Sequence, residues 1–529
     1  MTNYKLKDLR DDRRRTFLKM CGVAAAAVGL ERSKVLNFLA DEGGHGLAEA
    51  AVASYGRSLI VPAPNGVQAW FQELWPCPDV AMKALANASI PTGNIPNQGA
   101  IGAYGNFSSY LYTSQRGYTP GDGYRGTYVG PSNANLPGGA KYLAGEREMF
   151  YGPDAPWFNH LTGQPKYAVT GIMSGKDETH TEFPTTSTRL SGSSNLLAVA
   201  GSLAAVGSNA IIPVLGIDPV KYGSAPGAPD VATVPNANGL VDLFNSAASQ
   251  FTLTSQVDQE LFSTYYKALV GLRHSHGRSS WAPAMVTTKN AAKIIGLNFS
   301  AQLMPTAEDL VAFGVSDVTN TSTSLNANQR TGIEAFARAL IVVAKAFKLG
   351  LSKSAIVSLS PGPTSEQFFT DPHVTFDSPT NLTQGRNTTK YLGKALDAFY
   401  TSLSTTDDPE SPGEKLDQTT TFVAYGDTPH TALQGATWPD ATPDASNFMW
   451  AMDPRGKLKS GWFGQLYVMK KNGKNAQGFN PETGGEVTVP SENMAPAACT
   501  AIAHAIAKGD SNKVSEFGGP PVNGMINKG

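Results

Sequence analysis

"EAFARALIVVAKAFKLGLSKSAIVSLS" (residues 334–360) decides the fold class. Its first half carries apolar residues at helical spacing, within a segment that predicts a helix over 327–349, and Gly350 follows as a C-cap. After a short connection, "SAIVSLS" (354–360) reads as another central strand. The same grammar extends outward. "SNLLAVAGSLAAVGSN" (194–209) predicts a buried helix with a serine cap, leading into the strand "AIIPVLGI" (210–217). Helices are expected at 239–249 and 256–272, and another over "NTTKYLGKALDAFYTSL" (387–403) before the strand "TTTFVAY" (419–425). "SLIVPA" (58–63) and "YAVTGIM" (167–173) add two earlier strands. Strands separated by helices predict an α/β fold with a central, mainly parallel sheet sandwiched by helices.

The 529 residues can bury a large core, and no repeat of fixed period divides them. A single domain is expected over 54–529, with a long Gly/Tyr-rich insertion at about 76–165. The tyrosines of that insertion can rest on the chain's own surface or on a cell-surface or glycan partner. With 42 basic and 43 acidic residues the formal net charge is -1, so no overall field attracts nucleic acid. The apolar run 194–217 is interrupted by Ser202, Ser208, Asn209 and Pro213, which argues against a membrane span and an integral membrane protein.

Residues 1–53 read as an export signal and linker. "KLKDLRDDRRRTFLKMCGVAAAAVGL" (5–30) places a basic arm before a modest apolar stretch. It resembles a twin-arginine signal: Arg13-Arg14-Arg15-Thr16-Phe17 fits the pattern directly, and Arg14-Arg15-Thr16-Phe17-Leu18-Lys19 is offset by one place. The resemblance implies the twin-arginine export machinery as a partner and a periplasmic, extracellular or cell-surface location. Small residues at Ala51 and Ala53 offer a cleavage site, and retention of the segment is the alternative. Cys77 and Cys499 are either one disulfide or two buried thiols.

Two Asp/His clusters follow predicted strands. In "FFTDPHVTFD" (368–377), Asp371 and His373 are two residues apart. In "AYGDTPHTALQGATWPDATPDASN" (424–447), Asp427 and His430 come directly after a strand. Carboxylate and neutral imidazole together suit a divalent transition metal, and loops from neighbouring strands can bring four such ligands together. The bland alternative is a set of Asx and ST turns, for which Asp-Pro is a common start. His274 and His276 read as helix C-terminal residues, and His160 and His504 stand alone. There is no nucleophile elbow, phosphate loop or paired-cysteine zinc motif.

The ordered series of an Arg-Arg signal, Thr179-His180-Thr181-Glu182-Phe183, Asp371-Pro372-His373, a Leu/Ala/Phe helix, Ala424-Tyr425-Gly426-Asp427-Thr428-Pro429 and "GKLKSGWFG" (456–464) resembles an uncharacterised twin-arginine-exported family distantly related to alkaline phosphatases and sulfatases. That family runs Ser-His-Phe, Asp-Thr-His, Ser-Glu-Phe-Gly-Arg-Thr-Pro, Asp-His-Gly and Gly-Gly. The resemblance implies an alkaline phosphatase-like fold and hydrolysis of phosphate or sulfate esters. It places a divalent metal (zinc, manganese or calcium) on Asp371, His373, Asp427 and His430, with His180 near the substrate. Thr179 and Thr181 flank His180, but neither is marked as a nucleophile. The chain also departs from the pattern. Asn65 stands where the family has an aspartate, Asp444-Ala445-Ser446 replaces Asp-His-Gly, and the Glu of Ser-Glu-Phe-Gly is missing. These losses favour one metal or none over two, and leave a non-catalytic exported scaffold as the alternative.

Overall fold

Every residue of strand β1 (Arg57–Ala63) is buried, because the strand runs through the middle of the principal sheet with helices on both faces. The computed structural model describes residues 54–63, 74–75, 150–151, 168–173, 188–192, 194–208, 210–218, 222–251, 299–319, 325–359, 379–408, 410–426, 448–463, 477–490 and 494–528. The helix expected at 256–272 and almost all of the expected insertion lie outside them.

The other strands of this sheet are β2 (Ala168–Met173), β3 (Val214–Ile217), β4 (Ala232–Val234), β5 (Ser354–Val357), β6 (Thr420–Gly426), β7 (Phe448–Asp453) and β8 (Gly461–Phe463). Their spatial order is β8-β2-β7-β6-β1-β5-β3-β4. The sheet is mixed. β7 is antiparallel to both its neighbours, β6 and β2, and every other pairing is parallel. β1 and β6 are in register along their full length, from Arg57 opposite Thr420 to Ala63 opposite Gly426. Three small two-stranded sheets lie apart from it: Leu74–Trp75 with Phe150–Tyr151, Arg189–Ser191 with Ser194–Asn195, and Gln477–Phe479 with Glu486–Pro490.

The described helices are α1 (Leu196–Ala205), α2 (Ala237–Phe251), α3 (Phe299–Leu303), α4 (Ala307–Ala312), α5 (Val315–Thr319), α6 (Ala327–Lys348), α7 (Pro379–Ser404), α8 (Ala495–Ile506) and α9 (Ser511–Ser515). The chain forms two compact units. Among the described residues, one holds 236–251 and 299–304, and the other holds those of 54–235 and 305–528. In the first, Phe244 of α2 meets Phe299 of α3 edge-on, with ring centroids 5.5 Å apart.

The second unit holds the sheet. Side-chain alternation sends Ile60, Ile356, Val423, Met449 and Ala451 to one face, where they form a single buried cluster with α1 and α8. Toward the other face α6 packs on β5, Phe347 of α6 meets Phe399 of α7, and the buried Tyr400 hydroxyl donates to the Thr420 carbonyl at 3.1 Å. α6 ends as its sequence predicts, with Gly350 at φ 66 just past the Leu349 cap. The cap of α1 is Asn195 rather than a serine: its Oδ1 accepts from the Leu197 N–H at 2.9 Å, completing the first turn of a helix too buried for water to do so.

One tight approach yields a direct test. A Cβ on Gly524 would lie 2.1 Å from the Gly484 nitrogen and 2.4 Å from the Thr483 carbonyl carbon, both backbone atoms that no rotamer change can move. Gly524→Ala is expected to lower stability by about 1–3 kcal/mol in a urea titration, the cost of overpacking a close contact.

Candidate functional site

The two edges of the sheet differ in charge chemistry. At the amino edge, where β1, β5 and β6 begin and β7 ends, charges are buried and paired. Arg57, the first residue of β1, lies 3.1 Å from Asp408, and both side chains are almost completely buried. Lys353, just before β5, reaches Glu410 at 2.7 Å and the Ser54 hydroxyl at 2.8 Å, while Ser54 itself donates to Glu410 at 2.6 Å. Burial alone would raise the Glu410 carboxyl, but Lys353, Ser54 and Arg57 together carry it below its ordinary value. Arg455 pairs with Glu414 at 2.6 Å, and the Asp453 carboxylate accepts the backbone N–H groups of Arg455, Lys457 and Leu458. Lys508 donates to Ser411 at 3.1 Å; burial, then Arg455 and Lys353, push its ammonium down to about 8. Each carboxylate in this group has its own cation or set of N–H donors, so the amino edge works as a structural clasp.

The carboxyl edge is built differently. β2, β6, β1, β5 and β3 all run in one direction, so their C-terminal ends emerge on one side of the sheet. In α/β sheets this is the edge where ligands collect. The chain leaves β1 toward Asn65, β2 toward His180, β5 toward Asp371 and His373, and β6 directly into Asp427 and His430. β5 and β6 are not neighbours, contrary to the expectation from sequence, because β1 runs between them. Their exits are therefore two strand spacings, about 10 Å, apart. His180, Asp371, His373, Asp427 and His430 themselves lie outside the described residues, as do Thr179, Thr181, His160, His274, His276 and Cys77. Among the described residues, no group of three His, Cys, Asp or Glu side chains is placed to hold a metal ion.

One residue at this edge escaped the sequence reading. Asp218 follows β3 directly, with its backbone at φ 72, the left-handed region that few residues other than glycine adopt. Its N–H donates to the Val234 carbonyl at 2.9 Å, and the Ser358 N–H donates to the Ile217 carbonyl just before it at 3.3 Å, which pins it between the ends of β4 and β5. Burial pushes its carboxyl up to about 6.

Two residues named in the sequence have structural places. His504 is buried in α8 with Nδ1 3.3 Å from the Ser511 hydroxyl. Burial, aided by Lys457 and opposed by Asp510, holds its imidazole below the ordinary range. Cys499 is a buried thiol in the same helix, raised well above its usual value by desolvation.

No family model matches the chain, and no curated protein or solved structure matches it either.

Proposed function

We propose that this chain is an exported, metal-dependent hydrolase of phosphate or sulfate esters with an alkaline phosphatase-like fold, working at the carboxyl edge of its sheet. The observation that carries the reading is the shared direction of β2, β6, β1, β5 and β3: the segments bearing His180, Asp371, His373, Asp427 and His430 all start from one edge of one rigid sheet. The donor set suits the group it would hold. Two carboxylates and two imidazoles match zinc or manganese, and exits about 10 Å apart leave room for side chains from both loops to meet a common ion. When bound, the metal supplies Lewis-acid polarisation of the ester's non-bridging oxygen. Asp371, His373, Asp427 and His430 would hold that centre, and His180 would act near the substrate.

Export rests on Arg13, Arg14 and Arg15 with the Phe17-Leu18-Lys19 that follows. No helix among the described residues is long and apolar enough to cross a membrane. A second reading, a non-catalytic exported scaffold that binds through its Gly/Tyr-rich insertion, is favoured by Asn65 and by Asp444-Ala445-Ser446, where ligands of the resembled family are replaced.

Protein purified after native export separates the two. The hydrolase reading expects bound zinc, manganese or calcium by elemental analysis and turnover of 4-nitrophenyl phosphate or sulfate. Metal-free protein without turnover, even after reconstitution with each ion, would establish the scaffold.

A further inference from the structure

We propose that Lys508 is a carbon dioxide-binding residue, whose amine takes up CO2 as a carbamate that Arg455 and the Ser411 hydroxyl hold at the amino edge. The site lies at the opposite edge of the sheet from the proposed metal centre, and the inference does not depend on the hydrolase reading. Its premise is the cation that the clasp leaves over. Asp408 is taken by Arg57, Glu410 by Lys353 and Glu414 by Arg455, while Asp453 is turned to three backbone N–H groups. Lys508 stands beside them with no carboxylate among the described residues as its partner, and its ammonium donates to the neutral Ser411 hydroxyl at 3.1 Å.

The plain alternative is a lysine placed for the negative end of α8, where a cation is favoured. Two observations go beyond that role. Lys508 has φ 57, a left-handed backbone that glycine adopts at lower cost, and Gly509 next to it does so at φ 92. The side chain also leaves the helix end to meet an oxygen to which Arg455 Nη2 donates at 3.3 Å, so two cations share one neutral acceptor. Like charges that close repel, and converting one of them into an anion turns the repulsion into an ion pair.

The charged groups around the amine come from several segments. Burial first, then Arg455 after β7 and Lys353 before β5, draw it down to about 8, against the opposing pull of Asp408 and Glu414. Lys457 runs past Gly509, its Cδ 3.3 Å from where a Cβ there would lie, and His504 of α8 is close to the same glycine. At pH 8 about half of the Lys508 amine is neutral, roughly 10²-fold more than for an ordinary lysine. Only the neutral form has a lone pair to offer CO2.

The step balances without metal or oxidant. The Nζ lone pair bonds to the CO2 carbon, one C=O electron pair moves onto oxygen, and an N–H proton passes to water. Arg455 then donates to the carbamate instead of facing an ammonium. Ser411 donates as well, since its own proton has no acceptor among the described residues.

The test incubates the full chain in ¹³C-labelled bicarbonate at pH 8, fixes any carbamate as its ethyl ester with triethyloxonium ion, and maps the label by peptide mass spectrometry. The ester is expected at Lys508 in roughly tenfold or greater yield over any other lysine. It should vanish in Lys508→Arg, which keeps a cation there but cannot lose its proton, and the preference should vanish in wild type unfolded by urea. Ser411→Ala should lower the yield roughly tenfold, the worth of one hydrogen bond to a charged group. At constant CO2 pressure the yield should drop steeply below about pH 8, because deprotonating the amine and forming the carbamate each release a proton. Bicarbonate should also raise Tm above that in chloride of equal ionic strength, with no rise in Lys508→Arg. Label spread evenly over the lysines, label confined to the chain's α-amine, or a preference for Lys508 that persists in urea would overturn the proposal. So would a raised Tm with no ester at Lys508, which would mark a non-covalently bound anion.

Discussion

Asp408→Ala is expected to lower the unfolding free energy by about 3–5 kcal/mol, the cost of stranding one charge of a buried pair. Domains of this kind are stable by only about 5–15 kcal/mol, so this one change removes a large fraction of the total. Arg57 and Asp408 are 1% and 2% exposed, and their 3.1 Å contact is the main compensation for a guanidinium that burial already pushes downward. The Arg57 Nε has no acceptor even in the intact protein, so water cannot replace the lost carboxylate without opening the core. The geometry also predicts rescue. Replacing both partners by apolar residues, Arg57→Met with Asp408→Leu, should recover most of the loss, because the desolvation cost then disappears with the charges. Urea unfolding of the single and double variants checks both statements. A single variant within about 0.5 kcal/mol of wild type, the range of an ordinary surface change, would show that the pair is not the clasp described here.

The second large effect is on chemistry. His373→Ala and Asp427→Ala should each remove the bound metal and reduce ester turnover by about 10³-fold or more, since Lewis-acid stabilisation is worth several kcal/mol and each 1.36 kcal/mol is a factor of ten. Thermal unfolding of both variants should match that of metal-stripped wild type, because β5 and β6 are held by β1 and the amino-edge pairs rather than by the loops they feed, and only the mass-action gain from bound metal is lost. Turnover that survives both substitutions would place the chemistry elsewhere.

Much of this architecture was legible in the residues, and the parts that were not share a physical cause. Segments with one apolar and one polar side, or with a clear stop signal, read correctly: α6 with Gly350 at its end, α7, and the short β-branched runs that became β1, β5 and β6. α8 was missed because "APAACTAIAHAI" (495–506) is buried on nearly every side, so small apolar residues carry no period to mark a face. β7 was missed for a related reason. "FMWAMD" (448–453) lies between β6 and β2 with Trp450 and Met449 buried toward opposite faces, and such a run has no alternation.

The amino-edge clasp had no local signature at all, since Arg57, Lys353, Asp408 and Arg455 come together only once the sheet forms. At the carboxyl edge the sequence pointed to Asp371, His373, Asp427 and His430 through their nearness to strand ends. It passed over Asp218 because Asp-Pro reads as an ordinary turn start, and the left-handed backbone before Pro219 becomes visible only in three dimensions. The parallel run of β2, β6, β1, β5 and β3 adds what residue spacing could not, a common edge for separate loops.

Anomalous diffraction at the zinc or manganese absorption edge, from crystals of the purified protein, tests the shared edge most directly. A single strong peak is expected beyond the C-terminal ends of β5 and β6, within about 2.0–2.2 Å of side-chain atoms from both Asp371–His373 and Asp427–His430. A peak bound by one of these segments alone, a peak at the amino edge, or no peak from metal-soaked crystals would contradict it.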